Sequence, residues 1–158
     1  MYRLNLDDPR LVLPAPVYEM RDEQGGRSYS VGDAVTRADS WNSVEAAGFY
    51  AVAPNRTTDG LVGIYAQKLP TGRIRLVTRP GTSTQPLFRA LAPTDGPSGN
   101  PAIVPLYEHH HRGVDQYVYS TQPQLPEAGW EREEKPLCRV WKAPSGPLLL
   151  DGTAQQWR

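Results

Sequence analysis

The run Pro105-Leu106-Tyr107-Glu108 is followed by a turn at Arg112-Gly113 and by the return run Tyr117-Val118-Tyr119-Ser120-Thr121. The return run has a period of two residues, which is typical of a strand with one buried face. A glycine between two such runs permits the tight reversal that a hairpin needs. This stretch therefore predicts a β-hairpin.

The same arrangement occurs twice earlier in the chain. One copy extends over residues 16–31 and turns at Gly25-Gly26, and the other extends over residues 62–78 and turns at Pro70-Thr71-Gly72. In each copy a tyrosine follows an aliphatic residue in the first run. These tyrosines are Tyr18, Tyr65 and Tyr107. The pattern predicts three related segments, and the alternative is chance similarity among tyrosine-rich strands.

Each hairpin is followed by another apolar run that ends in Ala-Pro, at Pro54, Pro93 and Pro144. The segments then extend over about 13–54, 61–93 and 103–144 within a single domain, residues 1–158. A hairpin with one added strand cannot bury its own face, but three copies around an axis can cover one another's edges. We expect an all-β, pseudo-threefold closed fold, β-trefoil-like or alternatively a β-prism or a small three-bladed arrangement.

Proline and glycine are frequent, with 16 and 14 residues, so long helices are not expected. One or two short helices are predicted. Residues 40–47 have Ser40 placed to cap and Gly48 placed to terminate, and Pro126-Glu127-Ala128 ends at Gly129. The stretch Thr94 to Pro101 is interpreted as a surface linker between segments.

Charge and apolar patterning exclude some classes of partner. The chain has 17 basic and 17 acidic side chains, so no broad attraction to nucleic acid or to an anionic membrane is expected. No apolar stretch is long enough for a membrane span, and no signal peptide is visible. The protein is expected in the cytoplasm unless a leader has been removed. Cys138, the single cysteine, is expected to pack as a small hydrophobic residue.

The third segment resembles a known family. Its runs Pro105 to Glu108, Gly113 to Thr121 and Ala128 to Glu131 are similar to a unit of the repeat family of unknown function designated DUF five-six-four-eight. Members are often secreted and joined to peptidases or carbohydrate-active modules, so the resemblance implies an accessory, sugar-binding role. Gln116 stands where the family has a histidine. The C-terminal Gln155-Gln156-Trp157 also resembles the core motif of ricin-type β-trefoil lectins.

Aromatic residues of the third segment are the candidate ligand contacts. Sugars stack their C–H faces on Trp and Tyr, and their hydroxyl groups need fixed polar partners. Tyr117 and Tyr119 share one face of a strand, with Asp115 in register beside them. Trp130 and Trp41 follow the hairpins of segments three and one. The alternative is that these aromatic side chains fill the core.

Other residues give weaker indications of a metal-binding or catalytic site. His109 and His111 lie on one face of a strand and are weak metal candidates, but a solvated hairpin arm is the favoured interpretation. The charged run Glu131 to Lys135 is interpreted as a solvated turn. The chain has no nucleophile elbow and no phosphate-binding loop, so neither a catalytic residue nor a cofactor is predicted.

The favoured function is a non-enzymatic, lectin-like module for carbohydrate. The alternatives are a protein-binding module, such as an inhibitor or a toxin accessory domain, and a small enzyme with an unrecognised site. An inhibitor would present Thr94 to Pro101 as an exposed loop. An enzyme would need a cleft in which His109, Asp115 or Glu108 converge. The oligomeric state is left open.

Overall fold

The computed structural model describes residues 13–23, 26–31, 43–57, 59–81, 85–94 and 99–143, and all regular structure in these ranges is β. The all-β prediction is therefore confirmed. The ten strands are β1 (Pro14–Arg21), β2 (Arg27–Val31), β3 (Ser43–Val52), β4 (Leu61–Lys68), β5 (Ile74–Val77), β6 (Phe88–Leu91), β7 (Ile103–His111), β8 (Gln116–Ser120), β9 (Trp130–Arg132) and β10 (Cys138–Lys142). In the part of the chain described here, no helix has the length and apolarity that a membrane crossing requires.

The three predicted hairpins are β1–β2, β4–β5 and β7–β8, and all are antiparallel. Each first strand also pairs with a later strand of its own segment, so that β3 adds to β1, β6 to β4 and β10 to β7. The third segment has one strand more, because β9 pairs with β7 beyond the hairpin. Tyr18, Tyr65 and Tyr107 occupy matching places in the three first strands, as expected from the sequence.

The closing strands β3, β6 and β10 connect the segments, because each of them pairs with both others. β3 meets β6 at Val52↔Arg89, β10 meets β6 at Arg139↔Leu91, and β10 meets β3 through Trp141↔Tyr50 and Lys142↔Phe49. All ten strands thus belong to one hydrogen-bonded network.

The core is built from matching positions of the three segments. Each set has one side chain per segment, and every member is 2% exposed or less. The sets are Val17, Ile64 and Leu106 in the first strands; Tyr29, Leu76 and Tyr119 in the return strands; and Phe49, Phe88 and Cys138, then Ala51, Ala90 and Val140, in the closing strands. Full burial of one large apolar side chain contributes about 1.5–3 kcal/mol. These layers hold the hairpins in fixed relative positions.

The predicted helix over residues 40–47 is wrong where the structure describes it. Residues 43–47 belong to β3 and pair with β1, at Met20↔Val44 and Glu19↔Glu45. The alanine-containing sequence has reasonable helix propensity, but β1 offers a row of backbone hydrogen-bonding partners. Pairing with that strand outweighs the local preference.

The two glycines expected to end helices serve other purposes. Gly48 lies inside β3 with φ of 88°, where the register against β1 shifts between Pro16 and Tyr18. This is a β-bulge, and a positive φ favours glycine there. Pro126-Glu127-Ala128 forms bends and a turn, not a helix, and Gly129 follows with φ of 97°.

Candidate functional site

Tyr119 is a core residue, which corrects its prediction as a sugar contact. The residue is 2% exposed. Its hydroxyl donates to Glu108 Oε2 over 2.7 Å and accepts the backbone N–H of Leu76 over 2.7 Å. Burial, with the nearby Glu108 charge, raises the pKa of Tyr119 well above its usual value. The side chain has neither a free face nor a free hydroxyl for a ligand.

Tyr117 and Asp115 lie near each other as predicted, but both are engaged by other residues. The Tyr117 ring stacks on His110 with centroids 4.3 Å apart, and the Arg75 guanidinium carbon lies 5.5 Å from its centroid. Asp115 accepts a hydrogen bond from His110 Nε2 over 3.1 Å. This bond, and then one from Thr71, lowers the pKa of Asp115.

Trp130 lies on the other face of the third hairpin, so the predicted site is divided. It pairs with His111, whereas Tyr117 pairs with His110. Cross-strand partners share a face, and consecutive strand residues point to opposite faces. Tyr117 and Trp130 therefore cannot contact one small ligand together. Trp41 lies outside the described residues.

Trp130 lines a pocket of about 500 Å³ between β9 and the loop that follows β8. Trp130 and Arg132 are two residues apart on β9, so they share the outward face of that strand. Glu131 and Arg132, interpreted from the sequence as part of a solvated turn, belong to this strand. The described residues that line it are His109, Pro123, Gln124, Leu125, Trp130 and Arg132.

Gly129 and His111 determine the position of Trp130. Gly129 has φ of 97°, and a Cβ atom at this position would collide with Nε2 of His111. The His111 ring meets Trp130 edge-on, with centroids 5.2 Å apart. On the same indole, the Arg27 guanidinium carbon lies 5.9 Å from the ring centroid. The indole is therefore held by its neighbours from the first and third segments.

His109 is 1% exposed, so the predicted solvated arm is wrong at this residue. Its Nε2 donates to the carbonyl oxygen of Gln122 over 3.1 Å, because a carbonyl can only accept. Burial lowers the pKa of His109, a shift that the Gln122 bond opposes and the Arg132 charge reinforces. This hydrogen bond ties the loop that lines the pocket to β7. Among the described residues no three histidine, cysteine or acidic side chains form a metal-binding group.

A larger cleft of about 910 Å³ separates β5 and the residues after it from the loop before β10. Its lining includes the ion pair of Arg75 and Glu108. Arg75 Nε donates to Glu108 Oε2 over 3.1 Å. Oε1 lies 3.0 Å from an Arg75 nitrogen but accepts no hydrogen bond, so that contact is electrostatic only. None of the described residues that line this cleft is aromatic.

The groups considered for catalysis do not converge. Cys138 is 0% exposed and burial raises the pKa of its thiol, which confirms its prediction as a small hydrophobic residue. His109 and Glu108 are consecutive in β7 and face opposite sides. Asp115 is hydrogen-bonded to His110 instead.

No protein-family model, no curated protein and no solved structure matches this chain. The resemblance of the third segment to the repeat family therefore stays a prediction. Gln155 and Trp157, which carry the lectin-like motif, lie outside the described residues.

Sequence reasoning missed Gln124 and Arg132 as pocket residues. The signal for Arg132 was present, because it stands two residues after Trp130 and must share its face if the run is extended. Gln124 gave no signal, since its place depends on how the loop after β8 folds back over β9.

Proposed function

We propose that the protein is a carbohydrate-binding, lectin-like module that holds a saccharide in the Trp130 pocket. The observation that carries the proposal is the pairing of one indole with two polar side chains, Gln124 and Arg132, around about 500 Å³ of open space. A sugar needs both kinds of group: an aromatic surface for its C–H face and hydrogen-bonding partners for its hydroxyl groups.

The contacts that hold the loop and the indole in place indicate that the pocket is formed before a ligand binds. The bond from His109 to the Gln122 carbonyl fixes the loop that contributes Gln124. Gly129 and His111 fix the entry to β9, and hence the position of the indole. A site that is already ordered loses less conformational entropy when the ligand binds.

We also propose that the three segments close into a β-trefoil-like body. Two features support this: the mutual pairing of β3, β6 and β10, and the four strands of the third segment, the number that a trefoil repeat requires. Within the described residues only the third segment has the additional strand β9, and the pocket is built on it. Among the described residues, the proposed ligand site therefore belongs to the third segment alone.

The test is calorimetric titration of the full chain with neutral monosaccharide glycosides, chosen from a glycan-array screen. Trp130→Ala should weaken binding by about 1–3 kcal/mol, because it removes the stacking surface. Trp130→Phe should retain part of the affinity. Tyr65→Ala, which removes an aromatic ring outside the pocket, should leave binding unchanged. A folded Trp130→Ala variant with wild-type affinity, or a wild-type chain that binds no saccharide, would overturn the proposal.

A further inference from the structure

The charge of the Trp130 pocket distinguishes among sugars. Of the six described residues that line it, Arg132 alone has a permanently charged side chain, and none is acidic. The lowered pKa of His109 leaves that ring neutral at pH 7. The described lining therefore carries one positive charge and no negative charge.

Arg132 also differs from three other arginines of the described chain. Arg27, Arg75 and Arg112 each form an ion pair with a glutamate. Among the described residues Arg132 has no carboxylate within 4.0 Å. Its guanidinium carbon instead lies 4.6 Å from the centroid of the Tyr107 ring. A cation–π contact of this kind orients a guanidinium group without neutralising it.

The acidic residues beside Arg132 in the sequence do not supply the missing partner. Glu131 and Glu133 flank it in the chain, and strand alternation directs Glu131 to the face opposite Arg132. Glu131 is paired with Arg112 over 3.2 Å. The donors of Arg132 are thus available to an anion that enters the pocket.

From this arrangement we infer that the ligand is a saccharide bearing an anionic group, held with its ring on Trp130 and its anion on Arg132. The two side chains are separated by two residues along a strand, or about 7 Å. That spacing fits one sugar ring with a charged substituent at its edge. The planar guanidinium group can donate two parallel hydrogen bonds to a carboxylate or to the oxygen atoms of a sulfate ester. The inference rests on the proposed function and specifies its ligand.

The experiment compares three ligands on the full chain by calorimetry: methyl β-glucoside, methyl β-glucuronide and glucose 6-sulfate. The wild-type protein should bind at least one of the two anionic ligands about tenfold more tightly than the neutral glucoside. If both anionic ligands bind more tightly than the neutral glucoside, the site recognises anions in general. If only the glucuronide does, the site recognises carboxylates. The preference should fall as salt increases from about 50 to 500 mM, because the guanidinium group is exposed.

The variant Arg132→Gln should abolish the preference for anionic ligands, and it should weaken binding of the neutral glucoside less than it weakens binding of the anionic ligands. Arg132→Lys should retain part of the preference for anionic ligands, because lysine keeps the positive charge but cannot donate two parallel hydrogen bonds. Arg112→Gln, at an exposed arginine outside the pocket, is the matched control and should retain the full preference. Equal affinity of the wild-type chain for all three ligands, or an undiminished preference in Arg132→Gln, would overturn this inference and leave sugar binding itself intact. If the wild-type chain bound none of the three saccharides, the proposed function itself would be overturned.

Discussion

The hydroxyl of Tyr29 accepts the backbone N–H of Tyr119 over 3.1 Å, although the two residues are 90 positions apart in the chain. Their rings meet edge-on with centroids 5.5 Å apart. The Tyr119 hydroxyl in turn accepts the backbone N–H of Leu76. The return strands of the three segments are therefore linked in series, and the series ends at Leu76, which has no hydroxyl.

Removal of the Tyr119 hydroxyl should lower the free energy of unfolding. Tyr119→Phe takes a donor from buried Glu108 and an acceptor from the Leu76 N–H, so we expect a loss of about 2–4 kcal/mol in the free energy of unfolding. Chemical denaturation measures it. Tyr117→Phe keeps the ring stacked on His110 and should change stability by about 0.5 kcal/mol or less. Equal stability of the two variants would contradict the importance of the tyrosine series.

Gly129→Ala should impair both stability and the pocket. Alanine at a positive φ is strained, and here its Cβ would also collide with the His111 ring. We expect a loss of about 2–3 kcal/mol in the free energy of unfolding together with weaker saccharide binding. Gly72→Ala is the matched control, because Gly72 has φ of 87° but open space around its Cβ position. A Gly129→Ala variant that is no less stable than Gly72→Ala would show that the His111 contact imposes no constraint.

Stability should decrease in mild acid because of His109. Burial lowers its pKa in the folded state, so below the unfolded-state value of about 6.5 the unfolded chain binds more protons. The free energy of unfolding should then fall as the pH drops from about 6.5 toward the lower folded-state pKa. His109→Gln can donate to the Gln122 carbonyl but does not titrate. Its stability curve should be flatter in this interval, and a difference curve that is independent of pH would refute the assignment.

Cys138→Ser should reduce stability without affecting binding. The residue is fully buried in the core, where a serine hydroxyl has no designated partner, so a loss of about 1–3 kcal/mol is expected. Saccharide affinity should be unchanged at temperatures where the variant is folded. If a well-folded variant lost binding, Cys138 would have to be reconsidered as a functional group.

Local sequence patterns were sufficient for the hairpins but not for the face that each aromatic residue presents. Alternation and turn glycines identified all three hairpins and the matching positions of Tyr18, Tyr65 and Tyr107. The sequence pattern places Trp130 near Tyr117, because Trp130 follows the hairpin that contains Tyr117. The register of β9 against β7 decides instead that Trp130 pairs with His111. That register is set by the loop after β8, whose path no periodic pattern encodes.

Two further errors have the same origin in contacts between distant parts of the chain. Tyr119 is buried because Tyr29, from another segment, packs against it and accepts its N–H. Residues 43–47 form a strand because β1 offers them a pairing edge. Neither partner can be recognised from the few residues around the position itself.

The absence of a hydroxyl at Leu76 also bears on how the chain selects its own partners during folding. Three similar hairpins invite exchange, since one return strand could dock in the place of another. Glu19 and Glu108 each receive a buried hydrogen bond from the tyrosine opposite, whereas the matching pair in the second segment is Ala66 and Leu76. A misplaced second return strand would leave a buried carboxylate without its phenol, at a cost of about 1–3 kcal/mol or more. The second segment, which lacks this pair, therefore favours the native arrangement of the three hairpins over arrangements in which two return strands are exchanged.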